Sequence, residues 1–338
     1  MANIYGVDIG TSNIKLYSKD KDIVLNEKNI IAIANKTEII AFGDEAYLMH
    51  EKAPESIVVS YPVKFGVIAD IENMETLFEC FFKKINRGKF SNANDFYVAV
   101  PTDITEVEKR AFYDLISSAK VKAKNVYIVD KPVADAIGSG IDVTDSKGVM
   151  VVNIGADTTE ISVMSLGGIV LSKSIKIGGN KLDDSIISGV RKCYNLVIGS
   201  KTAESIKKQI GSAIQEEEMF ARAYGRNIMS GLPVAVDVSS DVIYESIIDH
   251  LRSIMDAMKM ILERTPPELA ADIIELGINV TGGTSNIKNL KQFIETETNL
   301  KANIIESGSE SVVNGIKEIT SKPTYRKLAY LPKEKNYI

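Results

Sequence analysis

The sequence predicts an α/β protein built twice over. Strand, small polar turn, strand and strand occur near residues 3–25 and recur near 148–177. A repeat of that length marks a duplicated structural unit. Helical stretches with their own start and stop signals follow each copy. The chain has 338 residues, 45 % hydrophobic and 25 % charged, which is enough for two domains with sizeable cores.

The first copy opens with Asn3–Val7, a polar turn over Asp8–Asn13, and an alternating strand Ile14–Tyr17. Ile23–Leu25 completes it after Asp20-Lys21-Asp22. Short strands are expected at Ile30–Ala34 and Glu38–Ala41. Met74–Lys84 places Leu77, Cys80, Phe81 and Ile85 at helical spacing. Tyr97–Pro101 is a strand with its stop. Thr105 and Glu108 form a capping box that opens a helix to about Lys120. Val126–Val129 is a strand, and Pro132 starts a short helix ending near Gly138.

The second copy begins with the buried strand Gly148–Val152, the turn Asn153–Thr159, and strands Glu160–Ser165 and Ile169–Ile177. Residues 182–230 read as mainly helical. Val242–Arg264 is a strong helix, with Ile243, Ile247, Leu251, Ile254, Met258 and Ile261 on one face and Pro266-Pro267 as its stop. Met255, Met258 and Met260 read as core packing. Strand Ile278–Val280 leads into the turn Thr281–Thr284 and a helix from Asn286. The tail after Pro323 is basic and aromatic.

Composition narrows the function. The net charge is −5, so a protein that works by gripping nucleic-acid phosphates is disfavoured. No apolar run is long enough to span a bilayer, and the N-terminus lacks the pattern of a signal peptide. Cys80 and Cys193 read as reduced core residues of a cytoplasmic protein. His50 and His250 are too few for a histidine metal site.

Three small-residue turns could hold phosphate, which needs inward backbone N–H groups and hydroxyl donors. They are Asp8–Asn13, Asn153–Thr159 and Thr281–Thr284. Each alone is a weak signal; together, two of them inside the duplicated hairpins, they point to a nucleotide. Neither a Walker A pattern nor a Rossmann glycine fingerprint is present.

Asp8-Ile9-Gly10-Thr11-Ser12-Asn13 resembles the first phosphate loop of the actin, Hsp70 and sugar-kinase superfamily. Asn153–Thr159 resembles its second phosphate loop, and Thr281-Gly282-Gly283-Thr284 its adenosine motif. Longer stretches resemble MreB, the bacterial actin of cell shape. They include Ile104–Ala111, Ser165–Val170, Tyr194–Gly199, Lys201–Glu204 and Thr265–Leu269, and the likeness runs from about residue 3 to 320.

That resemblance implies an actin-like fold, with two α/β halves flanking a nucleotide cleft. The first half is expected over 1–145 with a smaller subdomain at about 30–70. The second is expected over 146–320 with one at about 181–240. The tail 321–338 returns to the first half. By similarity ATP and Mg²⁺ are the cofactors, and Asp8 holds the Mg²⁺ through water. Gly10, Thr11, Ser12 and Asn13 bind phosphates from one side. Gly155, Ala156, Asp157, Thr158, Thr159, Gly178 and Gly179 bind them from the other. Glu204 and Lys207 contact ribose and base, while Gly282, Gly283 and Thr284 let the backbone approach the adenosine. The family polymerises into antiparallel double filaments and lies on the membrane. Here the candidate contacts with an anionic surface are the Arg87–Phe90 loop and the tail Lys322–Lys335.

The chain departs from the family at the site. Asn153 replaces the usual Asp, and Ala156 and Asp157 replace Gly-Gly. Lys131 stands where the family has the Glu that, with a Thr matching Thr158, positions the attacking water. Lys317 replaces a small residue in the second connecting helix and puts the packing there in question. The expectation is an ATP-binding filament protein with slow or absent hydrolysis. A conventionally hydrolysing MreB is the alternative, and a metabolic kinase of the superfamily is a more distant one.

Overall fold

The computed structural model describes residues 3–86 and 93–332. The Arg87–Phe90 loop and the end of the tail from residue 333 lie outside the described residues. Two compact units emerge. The first runs to Asp145 and takes in Leu166–Gly168 and everything from Glu310 on; the second holds Ser146–Ser165 and Ile169–Ser309.

The first unit is built on a six-stranded sheet. Its order is Ala329–Tyr330, Ala123–Asp130, Asn94–Val100, Asn3–Ile9, Asn13–Ser18, Ile23–Lys28. The three inner strands are parallel, and the hairpin strands and the C-terminal strand are antiparallel. Helices Ile71–Asn86 and Glu106–Ser118 supply Phe78, Phe81, Phe82, Phe112 and Leu115 to a core with Tyr5, Val7, Leu16 and Phe96. The second of these helices starts at the predicted capping box. Thr105 accepts from the Glu108 amide at 3.2 Å, and the Thr105 amide donates to the Glu108 carboxylate at 2.7 Å. A separate sheet of Glu38–Phe42, Ile31–Ala34 and Ile57–Ser60 buries its own small cluster, Ile30, Ala32, Ala41 and Ala46.

Helix Lys131–Gly138 packs against helix Ser311–Ser321 in this unit. This corrects the boundary expected at residue 320, because the chain joins the first unit from Glu310. The crossing explains why. A Cβ on Gly315 would lie 1.7 Å from the Ala134 carbonyl, and one on Gly138 would lie 1.7 Å from the Ser311 carbonyl. The two backbones therefore touch, and the Ser311 hydroxyl donates to the buried Asp135 carboxylate. Lys317 does not crowd the crossing. Its ammonium pairs with Asp22 at 2.7 Å and lies over the Tyr17 ring.

The second unit carries a five-stranded sheet ordered Gly168–Ile175, Thr159–Ser165, Val149–Ile154, Ile278–Thr281, Ala302–Ile304. Helices Gly179–Tyr194 and Ser240–Arg264 pack on each other, and Leu182, Ile186, Val190, Ile247 and Leu251 join one core with the sheet.

Four expectations need correction here. Residues 182–230 are not helical throughout, since Phe220–Asn227 is a strand between Leu196–Val197 and Pro233–Ser239. Ala221 and Ala223 point in while Phe220, Arg222, Tyr224 and Arg226 point out. That alternation has period two, but small alanines make it faint in sequence. The turn after Thr281 forms a short 3₁₀ segment, Gly283–Asn286. The α-helix starts later, at Leu290, after Asn289 takes a left-handed conformation. Met255 and Met258 are core, but Met260 is exposed. Cys193 is exposed as well, and Cys80 only half-buried.

The backbone contact at the helix crossing leaves no room for a methyl group. Gly315→Ala should destabilise the first unit by about 3 kcal/mol, whereas Gly231→Ala, in open space, should lose only the roughly 1–2 kcal/mol of its left-handed conformation. Chemical denaturation of both variants checks this, and equal losses would contradict it.

Candidate functional site

The first unit's turn is a tight hairpin end. Asp8 pairs with Lys15 across the strands Asn3–Ile9 and Asn13–Ser18, so it belongs to the strand rather than to the turn. The Gly10 amide donates to the Asn13 carbonyl at 3.0 Å. Asn29 sits beneath the turn, fully buried. Its side-chain amide donates to the Gly10 carbonyl at 2.8 Å and its backbone N–H to the Ser12 carbonyl at 2.9 Å. Its own Oδ1 has no hydrogen-bond partner. The Ser12 hydroxyl donates to Asn13 and accepts from Lys28 Nζ at 3.1 Å. Thr11 Oγ1 accepts a long bond from the Gly66 amide at 3.4 Å.

Thr11, Ser12, Asn13 and Lys28 therefore form a set of hydroxyl, amide and ammonium donors suited to phosphate oxygens. Asp8 is buried and paired with the Lys15 ammonium at 3.0 Å through Oδ2. A hard carboxylate oxygen suits Mg²⁺ held through water, and the Lys15 pair leaves Oδ1 for that role. Among the described residues no group of three or more His, Cys, Asp or Glu side chains gathers to hold a metal directly.

The second unit brings three predicted segments together. In the turn after Val149–Ile154, the Gly155 amide donates to the Thr158 carbonyl at 2.8 Å. The Gly155 carbonyl accepts from the Gly179 amide at 3.0 Å and from Thr284 Oγ1 at 2.7 Å. The Ala156 carbonyl accepts from the Asn180 amide at 2.7 Å. The loop is thus tied to the first turn of helix Gly179–Tyr194 and to the segment after Ile278–Thr281. The fit is close enough to require glycine. A Cβ on Gly282 would lie 2.3 Å from the Ile154 carbonyl, and one on Gly178 would lie 2.6 Å from the Ala156 carbonyl. Gly283 by contrast faces open space.

Lys207 completes the cluster from helix Ser200–Ile210. Its buried ammonium donates to the Gly179 carbonyl at 2.8 Å and meets both oxygens of Asp183, at 2.8 and 2.9 Å. Burial pushes the Asp183 carboxyl up to about 6, although Lys207 pulls the other way. Glu204, one turn before Lys208, pairs with it at 2.6 Å at the helix surface.

The predicted residues are thus sorted by place. Gly155, Ala156, Asp157, Gly178, Gly179, Lys207, Gly282 and Thr284 meet in one cluster. Thr158 is half-buried, and its hydroxyl has no partner among the described residues. Thr159 is fully buried and donates to the Ile177 carbonyl at 2.8 Å, which fastens the strand. Lys131, at the start of helix Lys131–Gly138, is half-buried with no hydrogen-bond or ion-pair partner among the described residues. Its neighbour Asp130 accepts from the Tyr330 hydroxyl at 2.9 Å. Burial, reinforced by the Asp130 charge, raises the Tyr330 phenol well above its usual range and keeps it a donor.

Sequence reasoning missed Asn29, Lys28, Asn180 and Asp183. Asn180 and Asp183 had a readable signal. They lie one helical turn apart near the start of a helix opened by Gly178-Gly179.

The sequence pattern of the MreB/Mbl protein family matches residues 2–327. The chain is 38 % identical over 315 residues to the cell shape-determining protein Mbl of Bacillus subtilis, covering 92 % of this chain and 93 % of that one. Its structure is similar to that of MreB5 of Spiroplasma citri bound to AMPPNP. Identity there is 34 % and the TM-score 0.91, over 97 % of this chain and 98 % of the other. A chain of the MamK double helical filament, 19 % identical, shares the fold at a TM-score of 0.80 over 95 % of this chain and 99 % of that one. These likenesses bear out the actin-like fold.

The Asp183 carboxyl binds its proton more tightly in the folded chain than at its ordinary value of 3.8. Its contribution to stability is therefore full below that value and is lost as pH rises through about 6. The stability of the wild type relative to Asp183→Asn should fall across this window in denaturant titrations. A difference that stays flat from acid to neutral pH would contradict it.

Proposed function

The chain belongs to the MreB/Mbl family, and on that premise we propose that it is an ATP-binding cytoskeletal filament protein, acting in cell shape or motility, that holds its nucleotide and hydrolyses it slowly or not at all. The observation that carries the second half of this reading is Lys131, half-buried at the start of its helix and without a hydrogen-bond or ion-pair partner among the described residues.

In this reading the first unit contributes Gly10, Thr11, Ser12 and Asn13 to phosphate binding, and the second contributes Gly155–Thr159, Gly178 and Gly179. Glu204, Lys207, Gly282, Gly283 and Thr284 serve the nucleoside end. Asp8 is the residue to hold Mg²⁺, which when bound supplies positive charge against the phosphates. Nucleotide binding is supported by the donor chemistry of both loops and by MreB5, whose structure contains AMPPNP.

Hydrolysis needs a water in line with the terminal phosphorus, oriented by a group that accepts its proton. A protonated lysine has three donors and no acceptor. Lys131 can attract phosphate oxygens but cannot orient that water. The nearest carboxylate in sequence, Asp130, is engaged by Tyr330. Asp157 is engaged by Asn180 at 2.8 Å. A conventionally hydrolysing filament would need one of them free, and Thr158 is left without an acidic companion.

Assembly with itself follows the family pattern, for which antiparallel double filaments are the expected form. Among the described residues no helix is long and apolar enough to cross a membrane. Contact with an anionic membrane surface through the Arg87–Phe90 loop or the basic tail belongs to the same proposal.

With ATP and Mg²⁺ the protein should pellet and show filaments by negative stain, while releasing phosphate about 10²–10⁴-fold more slowly than a glutamate-bearing relative. Lys131→Glu should recover part of that rate. Monomers under every nucleotide and salt condition would overturn the filament reading. Wild-type phosphate release as fast as the relative's would overturn the role of Lys131.

A further inference from the structure

Strand Phe220–Asn227 turns back into Pro233–Ser239 through a tip that is apolar, exposed and closed on itself. Every residue from Ile228 to Pro233 is exposed, Met229 by 82 % and Leu232 by 63 %. The amides of the tip are satisfied by nearby backbone and side chains. The Asn227 amide donates to the Leu232 carbonyl and the Gly231 amide to the Asn227 carbonyl, both at 2.9 Å. Asn227 Oδ1 accepts from the Met229 and Ser230 amides at 2.9 Å. Ser230 Oγ accepts from the Leu232 amide at 3.3 Å, and the Ile228 amide donates to the Asn195 carbonyl at 2.9 Å. Pro233 has no N–H, so no amide from Asn227 to Pro233 is left without an acceptor. Positive charge lies behind this tip. Residues 219–236 contain no acid. Of their two cations, Arg222 pairs with Asp237 at 2.8 Å. Arg226 is exposed and has no hydrogen-bond or ion-pair partner among the described residues. Arg191 and Lys192, exposed and likewise unpaired among the described residues, stand one helical turn before Asn195 at the end of helix Gly179–Tyr194.

We propose that this hairpin tip is a lipid-binding wedge of the second unit. Ile228, Met229 and Leu232 enter the boundary between headgroups and acyl chains of an anionic bilayer, and Arg226, Arg191 and Lys192 meet its phosphates. The inference is independent of the nucleotide reading and uses neither the Arg87–Phe90 loop nor the C-terminal tail. An amide without an acceptor is costly in lipid, and here every tip amide already has one. For the same reason the tip has no amide left to pair with a peptide strand, which disfavours that kind of partner. Strand residues rise about 3.3 Å each, which sets Arg226 about 7 Å and Tyr224 about 13 Å behind Ile228. Both point outward on one face of the strand. Interfacial segments sink about 5–10 Å into a bilayer. At that depth the three apolar side chains leave water and the Arg226 guanidinium reaches the phosphates. The exposed Tyr224 ring then sits at headgroup level, where aromatic rings are favoured.

The chain contains no tryptophan, so Met229→Trp puts the protein's one indole at the tip. With vesicles of phosphatidylcholine and phosphatidylglycerol, its emission should shift to the blue and be quenched by lipids brominated along their acyl chains. Ile274→Trp, at an exposed site on helix Pro267–Leu276 of the same unit, should show neither effect. In co-sedimentation of the full chain, the double variant Met229→Ser with Leu232→Ser should lower vesicle partition by about tenfold. Arg226→Gln should lower it by about fivefold. Binding to the anionic vesicles should weaken as salt rises, because the phosphate contacts are screened. A tip indole that is neither shifted nor quenched would overturn the proposal even where the chain sediments, since the contact would then lie elsewhere. Equal effects at the two tryptophan sites, partition unchanged in the double serine variant, or equal partition into pure phosphatidylcholine would overturn it as well.

Discussion

One carbonyl oxygen organises the second unit's site. Gly155 O accepts from the Gly179 amide and from the Thr284 hydroxyl. Three stretches of chain, more than a hundred positions apart at the extremes, are thereby fixed against one another. The glycines follow from this constraint, since the backbones at Gly178 and Gly282 come too close to the loop for any side chain. Lys207 and Asp183 secure the same first helical turn from below. A buried ion pair of this kind adds little net stability, because desolvation offsets much of the attraction. Its service is positional, holding helix Ser200–Ile210 against Gly179.

The first unit meets its constraint differently. Its turn is propped by Asn29 rather than tied to a helix start, and hydroxyl and ammonium donors surround it. The C-terminal strand Ala329–Tyr330 closes the far edge of that sheet and delivers the Tyr330 hydroxyl to Asp130. The residue next to Lys131 is thus held by the last described strand. If Lys131 slows hydrolysis as proposed, a bound nucleotide would be a retained component of the filament more than a timer consumed by hydrolysis.

Much of the fold was legible because local signals agreed with one another. Both hairpins, the capping box at Thr105 and the long helix ending before Pro266 show strong periodicity or a strong stop. The actin-like fold was legible through quoted motifs, and the comparisons bear it out. What escaped depends on tertiary packing. Phe220–Asn227 buries only alanines on its inner face, so its alternation is weak. Helix Ser311–Ser321 joins the first unit through Gly138 and Gly315, whose close approach no local pattern announces. Within the site, the turns themselves could be read from small residues. Asn29, which props the first turn, could not, since it acts across the chain and carries no motif of its own, and Asn180 and Asp183 are marked only by their spacing after Gly178-Gly179.

The central claim is that the chain keeps its triphosphate. The most direct measurement is the identity of the nucleotide in the polymer. Filaments assembled in ATP and Mg²⁺ are pelleted after prolonged incubation, denatured, and the released nucleotide is separated by anion-exchange chromatography. The account predicts that ATP remains the main species bound in the pellet. A pellet that contains chiefly ADP would contradict it.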